Sequence, residues 1–281
     1  MKRTLVMLGV CALGVLGGCA SLRYEPGRYA GELASGSAGA PGIEFAFDLE
    51  RAPGGVWSAT LLNGPERIEV PEVRVVERRL TMRFAPDGSA MEVKLREQTD
   101  KRTRGEGSWR VTRPGGEVAA VAVSVERRPW MAGSRPPAIV ADREAGATVG
   151  GRWALEFELS GPAVGEFEIT NAGEATGTVR TATGEYRGLA GRYEPTLRRW
   201  GPRDERRADD IMGTLELSTF DGAHAFGLYG DLQRDGRLRG VFVSGNWFVE
   251  AFTGVRDAGG GAGPSPGGAA SVGHMDMTPE R

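Results

Sequence analysis

His224 stands three residues after Asp221, across a tight Asp221-Gly222 turn. That spacing lets a carboxylate orient an imidazole as a general base, provided a substrate pocket faces it. The same spacing suits a histidine that bonds turn backbone or its neighbouring carboxylate at the rim of a barrel, and that structural role is the one expected. Asn63-Gly64, followed by Glu66 and Arg67, offers a carboxylate and a guanidinium at a strand end. The plainer expectation for Glu66 and Arg67 is a cross-strand ion pair, which contributes well under ~1 kcal/mol. Glu156 and Glu158 share one face, as paired carboxylates of glycan hydrolysis must. They alternate with Trp153, Leu155, Phe157 and Leu159, which puts them on a solvated face instead. Trp57, Trp109, Trp153 and Trp247 fall at strand positions, where core or barrel-mouth packing is expected before a ligand cage. Ser265, in a Gly-x-Ser-x-Gly spacing, and the glycine runs near Gly259 and Gly267 fall in the C-terminal tail, without the strand-to-helix setting of a nucleophile elbow or a phosphate loop. No acid–base set converges, so the sequence predicts no catalytic residue. The candidate rim for a ligand or partner is Trp57, Asn63, Glu66, Arg67, Asp221, His224 and Trp247.

Cysteine chemistry is confined to the N-terminus. Met1-Lys2-Arg3 is followed by an almost wholly apolar Thr4 to Val15, and Leu16-Gly17-Gly18 leads into Cys19. This is the layout of a secretory signal over residues 1–18, with an apolar core too short to span a bilayer comfortably. Leu-Gly-Gly-Cys resembles the lipobox of bacterial lipoproteins. That resemblance implies that Cys19 is diacylated with palmitate-type chains and becomes the new N-terminus. Ala20 after it, rather than Asp, implies the outer membrane over inner-membrane retention. Cleavage before Cys19 removes 18 of the 281 residues and leaves 263, enough for one large or two small domains. Cys11 leaves with the signal and lipid occupies Cys19, so no thiolate remains for disulfide exchange. With two histidines in the chain, His224 and His274, a Cys/His zinc site is excluded as well, and no cofactor is expected. Removing Lys2 and Arg3 from 35 basic residues leaves 33 against 37 acidic ones. That balance gives no electrostatic footprint for nucleic acid.

The elements that would position these residues are strands. Ile43, Phe45, Phe47 and Leu49 alternate with Glu44, Ala46, Asp48 and Glu50, and Trp57, Ala59 and Leu61 repeat the period of two before Asn63-Gly64. Leu80, Met82 and Phe84, then Met91, Val93 and Leu95, then Trp109 and Val111 continue it, and Val118 to Val125 closes a first unit. Turns every ~8–12 residues with hardly any helical stripe predict an all-β fold. The sequence divides into a lipidated tether with a first strand (19–42), a first β domain (43–126) and a proline-rich linker (127–149). A second β domain (150–257) and a disordered Gly/Pro/Ala tail (258–281) follow. The expected architecture is two tandem antiparallel units, small barrels or sandwiches with meander connections. A weak echo of strand, Asn-Gly-type turn and tryptophan-bearing strand runs through both. Glu194 to Asp210 carries five arginines against five acids and reads as a solvated loop.

Gly184-Glu185-Tyr186-Arg187 with Leu189 and Gly191, and Leu215 through Phe226, are similar to a region of the TlpA-family thiol-disulfide reductases. So are Trp57 with Leu62 to Pro71, and Gly240 to Gly245 with Glu250, Arg256 and Asp257. In some of these lipid-anchored envelope proteins that region precedes the thioredoxin domain. The resemblance implies an extracytoplasmic β scaffold facing the periplasm. It carries no reductase activity here, because Cys-x-x-Cys is missing. The expected function is a non-catalytic envelope lipoprotein that binds or interacts, accessory to envelope redox or assembly proteins. A carrier of a small apolar ligand in a β-barrel is the alternative, and a glycan-directed hydrolase a further one. Expected partners are the membrane, through Cys19, and an envelope protein.

Overall fold

The computed structural model describes residues 23–84, 88–98, 102–113, 116–127, 149–182, 184–195 and 211–257. The signal segment with Cys19, residues 128–148 of the linker, residues 196–210 of the charged loop and the 258–281 tail lie outside them. The described chain is all-β.

The first unit is a nine-stranded antiparallel sheet. Its strands are β1 (Gly27–Leu33), β2 (Ile43–Arg51), β3 (Trp57–Asn63), β4 (Glu66–Glu69), β5 (Glu72–Val76), β6 (Arg79–Arg83), β7 (Ala90–Gln98), β8 (Thr103–Thr112) and β9 (Val118–Arg127). They pair in the order β4-β3-β2-β1-β9-β8-β7-β6-β5. The last strand therefore returns to the first, with Leu33 opposite Val123. The sheet curls until β3 and β5 approach, and Val70-Pro71 links its two edge strands. Proline, lacking an N–H, suits this break in the ladder. Alternation decides what goes inside. Tyr29, Phe47, Leu49, Leu61, Leu80, Met82, Met91, Val93, Leu95, Trp109 and Val121 are all buried, and the residues between them face out or are half-covered. Each large side chain so buried stabilises the sheet by roughly 1.5–3 kcal/mol.

The second unit is a closed barrel of β10 (Gly151–Phe157), β11 (Gly161–Ile169), β12 (Glu174–Thr181), β13 (Glu185–Glu194), β14 (Ile211–Phe220), β15 (Ala225–Gln233), β16 (Arg237–Ser244) and β17 (Phe248–Arg256). Closure sets Phe157 of β10 opposite Phe252 of β17 and leaves no free edge. Eight strands enclose a lumen that side chains fill. Trp153, Leu155, Phe157, Phe167, Tyr193, Leu215, Leu217, Leu228, Phe242 and Phe252 fill this one. Gly165 and Gly177 flank the Phe167 ring so closely that a Cβ at either would fall 2.7 or 2.6 Å from it.

Leu159, expected inside with Trp153, Leu155 and Phe157, is 71% exposed. The strand stops at Phe157 because the buried Glu250 carboxylate takes over the turn. It accepts hydrogen bonds from the Leu159 and Ser160 amides (3.1 and 3.0 Å) and from Ser160 Oγ (2.6 Å), which leaves the leucine pointing out.

The two units share one core. Phe220, Ala225, Tyr229 and Val243 of the barrel belong to the apolar cluster of the first sheet. The β14–β15 hairpin enters the mouth of that sheet. Phe220 is fully buried there, 4.8 Å from Phe45, 5.5 Å from Phe84 and 5.3 Å from Trp109 between ring centres. One end of the first sheet is thus sealed by the barrel. Its other end carries the N-terminal segment, where Tyr24 is buried and its hydroxyl donates to the Val93 carbonyl (3.1 Å).

Candidate functional site

The seam between the units holds the site, and β14 explains why. Leu215 and Leu217 point into the barrel, while Thr214, Glu216 and Phe220 on the other face are buried too. β15 behaves alike, with Leu228 inside and Tyr229 buried outside. A strand covered on both faces loses the alternation that marks a half-solvated one.

Asn63, at the end of β3, joins the units. Its side-chain amide donates to the Phe220 carbonyl and accepts from the Phe220 amide, both at 3.3 Å. The ladder between β13 and β14 ends at Ala190 opposite Ser218, so the backbone of Phe220 lies beyond it. The Asn63 amide stands in for the missing strand. Gly64 abuts Ala190 and Thr176, and a Cβ there would meet Ala190 at 2.9 Å. Nearby, Trp109 Nε1 donates to the Gly222 carbonyl (2.8 Å).

Below this contact lies a cleft of about 590 Å³. Glu44, Glu168, Glu174, Arg192, Glu216 and Tyr229 contribute its polar groups, and Ala46, Leu62 and Pro65 its apolar wall. Arg192 stands opposite Glu216 on neighbouring strands and pairs with it at 2.7 Å and with Glu194 at 3.0 Å. Burial alone would lower the basicity of this guanidinium, but the carboxylates of Glu216, Glu44 and Glu194 outweigh it. Burial, reinforced by Glu44 and Glu216, also pushes the Tyr229 phenol well above the ordinary tyrosine range. Its hydroxyl donates to the Gly42 carbonyl (2.6 Å), and Ser218 Oγ donates to the Glu44 carbonyl (2.7 Å). Both hydroxyls thus donate to backbone carbonyls, and the glutamates give the cleft a negatively charged lining. Among the described residues no group of three or more His, Cys, Asp or Glu side chains could hold a metal ion.

The residues singled out from sequence fall in three places. Asn63 and Trp247 join the seam, with Trp247 stacked on Trp109 at 6.5 Å under the Arg113 guanidinium at 4.9 Å. Asp221 and His224 close the hairpin beside it. The Asp221 carboxylate accepts from the Ala223 and His224 amides (2.8 and 2.6 Å) and lies 3.0 Å from His224 Nδ1. Partial burial would raise this carboxyl's pKa, but the His224 and Ala223 bonds outweigh it and hold it below the usual aspartate range. The His224 side chain is 65% exposed. Glu66 reaches the barrel at Gly188, where a Cβ would fall 2.8 Å from its Oε2. The expected ion pair between Glu66 and Arg67 is replaced by another arrangement. Neighbours on one strand point to opposite sides, and Arg67 Nη1 donates to the Gly64 and Glu66 carbonyls (2.6 and 2.8 Å) instead. Trp57 lies at the far end of β3 from Asn63, with the Arg51 guanidinium 5.4 Å over its ring. Glu156 and Glu158 are exposed, on the outer face of the barrel.

Glu44, Arg192, Glu216 and Tyr229 escaped the sequence reading. The available signal was Leu228-Tyr229 side by side in one strand, two large residues that cannot share a face.

No family model matches this sequence, and no curated protein does. Among solved structures it is similar to a candidate outer membrane protein of Bacteroides fragilis. The two are 11% identical with a TM-score of 0.25, over 83% of this chain and 97% of that one. It is also similar to a protein of unknown function from the DUF3598 family of Nostoc punctiforme. That pair is 12% identical with a TM-score of 0.24, over 82% of this chain and 96% of that one. Likenesses this loose carry no argument.

Proposed function

We propose that the chain is a non-catalytic lipoprotein of the outer membrane, anchored through Cys19 and facing the periplasm, that binds a cationic group of a partner in the seam cleft. One observation carries the binding reading. Among the described residues four glutamates line the cleft, and the arginine there, Arg192, is already paired with Glu216 and Glu194. A cleft of about 590 Å³ falls within the range that accepts a small molecule or a short peptide segment. Lysine or arginine side chains of an extended partner segment match both its charge and its apolar wall. The filled lumen of the barrel supports binding at the seam over carriage of an apolar ligand inside.

A finer reading, resting on the resemblance to the TlpA-family region, places the partner among the envelope's thiol-disulfide or assembly proteins. Calorimetric titration with a lysine-rich decapeptide and its glutamate counterpart tests the cleft. The basic peptide should bind with an affinity that falls with salt and is lost in the double variant Glu44→Gln/Glu174→Gln. Equal binding of both peptides, or binding indifferent to those two substitutions, refutes the assignment. Pull-down from envelope extracts with the anchored chain tests the finer reading. Recovery of nothing above an unrelated tagged lipoprotein counts against it.

A further inference from the structure

The end of the first sheet remote from the barrel gathers three features. The chain enters there. The Arg23 amide donates to Gln98 Oε1 (2.9 Å), Tyr24 is buried, and Glu25 pairs with Arg127. Arg23 follows Cys19 by four residue steps. At 3.3–3.6 Å per residue they reach at most about 14 Å. The ten residues of β8, which run from this end to the other, extend about 33 Å. An anchor on Cys19 therefore holds this end near the bilayer, while the barrel occupies the opposite one.

The rim at this end is also apolar where it protrudes. The β2–β3 loop, Ala52 to Val56, contains no charged residue, and Val56 is 69% exposed. The β5–β6 turn brings Val76, 65% exposed, to the same rim because β3 and β5 come together as the sheet curls. Trp57 lies between rim and core with Arg51 over its ring. A tryptophan with an apolar body and a polar tip suits the headgroup layer. Arg51 and Arg78 balance Glu50 and Glu77 there, so no excess of negative charge repels an anionic surface.

We propose that this tip is a membrane-contact surface: Val56, Trp57 and Val76 enter the headgroup layer of the bilayer that carries the Cys19 lipid, and the molecule stands with the barrel and the seam cleft held away from it. The proposal rests on the reading of Cys19 as acylated.

The test uses the full chain matured in a bacterial envelope, in which Cys19 is the one native cysteine left after cleavage. Single variants Val56→Cys, Val76→Cys and Val118→Cys each receive an environment-sensitive fluorophore, and circular dichroism checks the fold. Val118 is the control, since it is 65% exposed at the barrel end of the same sheet. The labelled proteins are reconstituted into phosphatidylethanolamine–phosphatidylglycerol vesicles containing lipids with a nitroxide headgroup. Intact-mass measurement reports the acyl chains independently. With the chains present, the labels at positions 56 and 76 should lose most of their fluorescence and the label at 118 none. Acylated protein whose tip labels stay bright overturns the tip contact and leaves the anchor standing. Quenching of all three overturns the end-on orientation. A mass without acyl chains overturns the anchoring reading and this inference with it.

Discussion

Asn63→Leu keeps most of the side-chain volume and removes the amide that spans the two units. The Phe220 N–H and C=O then lose their Asn63 partner inside a closed apolar contact, where Asn63 itself is 4% exposed. A buried backbone group without a partner costs about 1–3 kcal/mol, so two cost about 2–6 kcal/mol. The bonds are long, at 3.3 Å each, which places the expected loss near the lower limit, about 2–3 kcal/mol. Urea unfolding followed by tryptophan fluorescence reads it directly, because Trp109 and Trp247 lie in the same contact. With a slope near ~3 kcal/mol/M for a chain of this size, the midpoint should fall by about 1 M. Asn63→Asp sharpens the test. An aspartate at this position still accepts from the Phe220 amide but sets an oxygen against the Phe220 carbonyl. When protonated it can donate there as asparagine does. Burial and the facing carbonyl raise its folded-state pKa above the unfolded value of about 3.9. A raised acid means the folded state holds its proton more tightly. The variant is therefore least impaired below the unfolded pKa and loses stability as pH rises through the folded one. A midpoint shift below about 0.2 M for Asn63→Leu, or an Asn63→Asp deficit that does not change with pH, refutes the idea that this amide replaces a strand.

Phe220→Ala empties the ring site between Phe45, Phe84 and Trp109 and should cost about 3–5 kcal/mol in the same assay, the range for a buried phenylalanine. Glu250→Ala releases the three hydrogen bonds that hold the β10–β11 turn. A loss of about 2–4 kcal/mol is expected, with proteolytic nicking near Leu159 as a second readout. Because the Asp221 carboxyl is held below the usual aspartate range by bonds from His224 and Ala223, its contribution is present above the unfolded pKa and fades as pH falls through the folded one. Asp221→Asn should lower the neutral plateau, where that contribution is present, and leave stability at strongly acid pH nearly unchanged, so that the limb below about pH 4 flattens.

The all-β class follows from alternation alone. Period-two runs such as Ile43 to Leu49 and Met91 to Leu95 can hide one face and wet the other only as strands, and the turns between them leave no room for helices. The lack of a Cys-x-x-Cys pair is equally local, because a motif missing from the sequence is missing in any fold. Partnership between strands is not local. Glu216 alternates with Leu215 and Leu217 just as Glu156 does with Leu155 and Phe157. Yet Glu156 faces water, whereas Glu216 is 7% exposed against another sheet. Asn63-Gly64 reads correctly as a hairpin, while the fact that the asparagine completes a strand 157 residues away depends on where β13 stops. Side-chain direction is set by the chain's own pleat. What lies in that direction is set by the docking of one unit on the other, and only the tertiary structure contains it.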